Sequence, residues 1–142
     1  MSDLQIAREN LSGHTICLCR DGKLIISDKR GISPMMSLIA EGADLCGYSV
    51  ADLIVGKAVA MLFVKCNIKE VYAKTMSVGG RDMLAAHSIP CEYETLTERI
   101  INRDGTDICP MEKTVQNTDD IEEGYNLLKT KLQSLMKPKD GN

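Results

Sequence analysis

SVADLIVGKAVAMLFVKC, Ser49 to Cys66, is the stretch on which the reading of the fold turns. Ser49 followed by Asp52 matches a capping box with Asp where Glu is usual, so the spacing predicts a helix beginning there. Between Val50 and Val64 the only charges are Asp52 and Lys57, and apolar residues fall nearly all the way round a helical projection. A helix without a solvated face is buried on more than one side. Gly56 would then lie inside it, where Gly costs about 1 kcal/mol relative to Ala, which points to another element packed closely there. Lys57 is a cation in the middle of this core element.

Working outward, Leu4, Ala7 and Leu11 have helical spacing within Asp3–Leu11. The β-prone runs His14–Arg20 and Lys23–Ser27 flank Asp21-Gly22, a strong hairpin signal. Neither run alternates with polar residues, so both faces of the hairpin are expected to be covered. Ser33-Pro34 reads as N-cap and first residue of a helix carrying Met35, Met36, Leu38 and Ile39 and ended by Gly42. After the core element, Ile68–Met76 reads as a strand, Ser77 caps a helix to His87, and Pro90–Thr95 is a short strand. Leu96–Thr106 reads as loop, Cys109-Pro110 opens a short helix to about Val115, and a last helix begins at Thr118 or Asp119. That helix sets Ile121, Tyr125, Leu128, Leu132 and Leu135 on one stripe. A hairpin followed by strand–helix–strand crossovers gives a three-layer α/β class, a mixed β-sheet with helices on both faces.

With 142 residues the chain reads as one domain over 1–136, with 137–142 (KPKDGN) expected to be a disordered tail. A domain of this size buries about two-thirds of the surface its unfolded chain exposes. A net charge of −3 offers no basic footprint, so nucleic acid is not an expected partner. There is no run of 18 apolar residues and the N-terminal residues MSDLQIAREN are polar, so neither a membrane span nor a secretory signal is expected. Six cysteines, several within apolar runs, read as reduced thiols in a cytoplasmic protein.

The polar cluster NRDGTDICPMEKTV, Asn102–Val115, is the stretch that packing does not explain. Asn102-Arg103-Asp104-Gly105 has turn chemistry. Cys109 before Pro110 would place a sulfur at a helix N-terminus, where unpaired N–H groups lower a thiol's pKa. Arg103 or Lys113 would favour the thiolate and Glu112 would oppose it; equally, Cys109 is a buried packing residue. Lys57 either faces a pocket and holds an anion or snorkels to the surface. Arg103 either clamps a carboxylate or phosphate or is a solvated turn charge. Cys17 and Cys19 lack a second pair, and no zinc-ligand spacing or phosphate-binding glycine motif occurs, so no metal or cofactor is expected.

The segments VGKAVAMLFV, KEVYAKTMS, IPCEYE and above all IINRDGTDICPMEKTV resemble a family of small prokaryotic proteins known as domain of unknown function 1893, over roughly Leu11 to Leu135. The resemblance implies a cytidine deaminase-like fold. Deaminases need His-x-Glu or Cys-x-Glu at the start of the core helix and Pro-Cys-x-x-Cys at the next. Here Ser49–Asp52 and Ser77–Gly80 stand at the expected starts, so zinc-dependent deamination is not implied. Three readings follow. The first is a module binding a small anionic ligand through Lys57, Asn102, Arg103, Asp104 and Lys113. The second is a thiol-dependent enzyme or sulfur carrier using Cys109. The third is a structural protein that oligomerises, for instance as a homodimer, through an exposed Met-rich helix near Met35.

Overall fold

In a computed structural model that describes residues 1–102 and 105–136, five strands form one mixed sheet flanked by helices on both faces. The expected tail lies outside the described residues, as do Arg103 and Asp104. Helix α1 (Asp3–Glu9) starts with a capping box in which Ser2 and Gln5 satisfy each other's backbone N–H groups. Strands β1 (Ile16–Arg20) and β2 (Lys23–Ser27) form the hairpin, with Asp21 and Gly22 at φ 52° and 79° as a two-residue type I′ turn requires. The carboxylate of Asp3 accepts from both turn N–H groups, at 2.9 and 3.2 Å, and these bonds hold its pKa below the usual range. Helix α2 spans Ser33–Ala40, with Ile32 rather than Ser33 in the cap position.

The stretch Ser49–Cys66 is not one helix. Ser49–Val55 forms strand β3, Gly56 is the turning point, and Lys57–Lys65 forms helix α3. Strand β3 pairs antiparallel with β1 and parallel with β4 (Glu70–Ser77), so it is flanked by strands and covered on both faces. A strand buried in this way has no polar alternation, which is why its apolar run also fits a helical projection. Ser49 caps nothing; its hydroxyl donates to Glu70 at 2.6 Å. The chain continues through helix α4 (Val78–Ala86), parallel strand β5 (Cys91–Thr97), and helices α5 (Pro110–Thr114) and α6 (Ile121–Met136). The strand order is β2-β1-β3-β4-β5.

One layer is α1, where Ala7, together with Leu11 just past the helix end, packs on Cys17, Cys19, Ala51 and Tyr72. The opposite face carries the main core, in which Ala58 to Phe63 of α3 are all buried, with α6 behind α3. Two expectations change here. The hairpin is covered on both faces only at β1; β2 is a sheet edge, with Ile25 packed on the core but Leu24 and Ile26 exposed. The helix near Met35 is not an exposed Met-rich surface: Met35 is fully buried and Met36 is 8% exposed, because both face the core.

Candidate functional site

Adjacent parallel strands β3 and β4 each run straight into a helix, so α3 and α4 begin side by side at the carboxyl edge of the sheet. The first N–H groups of any helix lack partners within it. At α4, Ser77 Oγ accepts from the N–H of Gly80 at 3.0 Å. At α3 the cap residue is Gly56, which has no side chain to do this. The partner comes from 54 and 55 residues away in sequence. Glu112 of α5 accepts from the N–H of Lys57 at 2.9 Å and from that of Ala58 at 2.7 Å, one carboxylate oxygen to each. A carboxylate at a helix N-terminus also meets the positive end of the helix dipole. Burial pushes the pKa of Glu112 up, opposed by these two hydrogen bonds and by the charge of Lys57.

Two glycines make this junction sterically feasible. A Cβ on Gly56 would lie 2.4 Å from Glu112 Oε1 and 2.8 Å from Ile100 Cγ1. A Cβ on Gly80 would lie 2.8 Å from the carbonyl oxygen of Val55, so α4 also approaches the end of β3 at backbone contact. The close packing expected at Gly56 is therefore present, at a helix start rather than inside a helix.

Lys57 is the first residue of α3. Its side chain is 18% exposed and its Nζ reaches Asp119 at 2.9 Å, so it threads outward to a surface carboxylate. Among the described residues no group of three or more His, Cys, Asp or Glu is placed to hold a metal ion, and no helix is long and apolar enough to cross a membrane.

Asn102 organises the segment that leads into α5. Its N–H donates to Asp107 O at 2.9 Å, its side-chain oxygen accepts from Thr106 N–H at 3.1 Å, and its carbonyl accepts from Gly105 N–H at 3.1 Å. Gly105 supplies the positive φ of 71° that the turn requires, and Ile101 bridges to Ile108. Lys113 Nζ donates to the Asp107 carboxylate, and that bond is the main cause of its lowered pKa. Between this segment, α5 and α6 lies a cleft of about 440 Å³ lined by Asn102, Asp107, Lys113 and Lys131 among others.

The structure thus brings Asn102 and Lys113 to one cleft and leaves Lys57 outside it, connected through Glu112. Cys109 is the N-cap of α5, as expected, but α5 is only five residues long and the sulfur makes no capping bond. The thiol is half-buried and lies outside the cleft lining, although Ile108 and Pro110 on either side belong to it. Sequence reasoning missed Lys131, which α6 brings in from outside the polar cluster, and the role of Glu112. A helix opening with Gly and no side-chain cap was the available signal for a distant carboxylate.

The family model described as a domain of unknown function (DUF1893) matches residues 6–132, and the chain belongs to that family. It is also similar to a crystal structure of a DUF1893 family protein from Thermotoga maritima, with 25% identity and a TM-score of 0.81, covering 92% of this chain and 91% of that one. No curated protein matches the chain.

Proposed function

We propose that this member of the DUF1893 family is a binding module for a small anion, held in the cleft between the Asn102–Ile108 segment, α5 and α6. The observation that carries the reading is the convergence of Lys113 and Lys131, from separate helices, on one cleft of about 440 Å³. That volume suits a small ligand. Lys113 already presents its ammonium to the carboxylate of Asp107, so the position is chemically suited to an oxyanion. Lys131 makes no ion pair among the described residues, which leaves a second positive charge for the ligand. Arg103 and Asp104, expected from the sequence to contribute to an anion site, lie outside the described residues.

The thiol reading, an enzyme or sulfur carrier using Cys109, has less support, because the sulfur does not line the cleft. Titration calorimetry with inorganic phosphate and with malonate separates the two. Lys113→Ala and Lys131→Ala should each weaken binding about tenfold, the equivalent of one charge-assisted hydrogen bond. Cys109→Ala should leave it unchanged. Binding that ignores both lysines, or no saturable binding of either anion, refutes the proposal.

A further inference from the structure

On the opposite side of the sheet, a larger open cleft of about 1140 Å³ lies beside α1. Its floor includes Leu53 of β3 and Tyr72 and Lys74 of β4, and its walls come from the end of α1, the loop into β1, and the loop after β2. Leu53 and Lys74 lie toward the carboxyl ends of the parallel pair. Strand β3 is also where the sheet changes direction, antiparallel to β1 on one side and parallel to β4 on the other.

The charges in this cleft are unevenly committed. Asp28 accepts from His14 Nδ1–H at 2.7 Å, and Glu94 accepts from the Tyr72 hydroxyl. Arg8 lies 4.1 Å over the Tyr72 ring and 3.5 Å from Glu92. Arg30 and Lys74 are exposed and make no ion pair among the described residues; the carboxylates that line the same cleft are Glu9, Asp28 and Glu94. Half-buried Leu53 and buried Leu11 supply apolar surface beside them.

We infer that this cleft is a second small-molecule site, for an organic anion whose apolar body covers Leu53 and Leu11 and whose charged group lies with Arg30 and Lys74. Its size exceeds what an inorganic ion needs, and the pairing of an apolar floor with a few convergent polar groups is the usual make-up of such sites. It is independent of the anion cleft beside α5.

The probe is 8-anilinonaphthalene-1-sulfonate, an aromatic body with one sulfonate, followed by its fluorescence and by amide chemical shifts of the folded protein. One saturable site is expected, with shift changes at Leu53, Tyr72 and Lys74. Arg30→Ala with Lys74→Ala should weaken it about tenfold or more, while Lys131→Ala leaves it intact. Melting midpoints check that the variants are folded; both substitutions are at exposed positions. Absence of saturable binding, shift changes confined to other surfaces such as Tyr93 and Leu96, or affinity unchanged by the double substitution overturns the inference.

Discussion

The contact between Glu112 and Gly56 predicts a large non-additive effect. Glu112→Ala removes the acceptor of two backbone N–H bonds, each worth about 1.5–3 kcal/mol when one partner is charged. Burial of the carboxylate, visible in its raised pKa, offsets part of this, so the lower end applies and the expected loss is about 3 kcal/mol. Gly56→Ala should cost as much or more. The backbone at Gly56, φ −108° and ψ −174°, suits any residue, so the penalty is steric: the new Cβ would sit 2.4 Å from Glu112 Oε1 and expel the carboxylate. Once Glu112 is Ala, only Ile100 opposes the methyl group, and the added cost of Gly56→Ala should fall to about 1 kcal/mol, a coupling of about 2 kcal/mol. Urea denaturation of the four proteins of the cycle measures it directly. Costs that add to within about 0.5 kcal/mol would refute the direct contact. Glu112→Gln keeps the volume and one acceptor, so it should fall between the wild type and Glu112→Ala.

Asp52 is buried in β3, and that burial raises its pKa to about 8 despite hydrogen bonds from the N–H groups of Ile54 and Leu53. The folded protein then holds a proton that the unfolded chain releases near pH 4, so stability should decline as pH rises from about 4 to about 8. Asp52→Asn should flatten that slope in denaturation curves taken across the range. Gly80→Ala should lower stability by about 2 kcal/mol, because its Cβ meets the Val55 carbonyl at 2.8 Å and backbone cannot give way easily. Gly79→Ala, whose Cβ would lie 3.5 Å from Lys57 Cβ, should be neutral or stabilising by up to about 1 kcal/mol through helix propensity. In native alkylation read by mass spectrometry, exposed Cys46 should react first. Cys17 and Cys19 should wait for unfolding, since both are buried and burial pushes Cys17 up to about 11. A Cys109 faster than Cys46 would return the thiol reading to first place.

What was legible in the sequence depended on how far apart the cooperating residues lie. The Asp21-Gly22 turn and the Ser77 cap are built from neighbours, and both form as their local chemistry dictates. The α/β class followed from the order of such elements. At Ser49–Cys66 the local signals conflicted. Seven residues of β3 and nine of α3, joined only by Gly56, make one apolar run in which neither a period of 2 nor one of 3.6 stands out. What decides for strand is pairing with β1 and β4, and no residue within the run reports that pairing. Ser49 and Asp52 imitate a cap because their spacing is right, yet Ser49 is bonded to Glu70 across the sheet. The same limit governed the site. Asn102, Lys113 and Cys109 stood out because they are close in sequence, whereas Lys131 reaches the cleft only when α6 folds back. Glu112 is the sharper case. Read locally, it is a charge opposing a thiolate at Cys109. In the fold, it is turned to a different helix, where Gly56 leaves the space and the unpaired N–H groups that make its carboxylate useful.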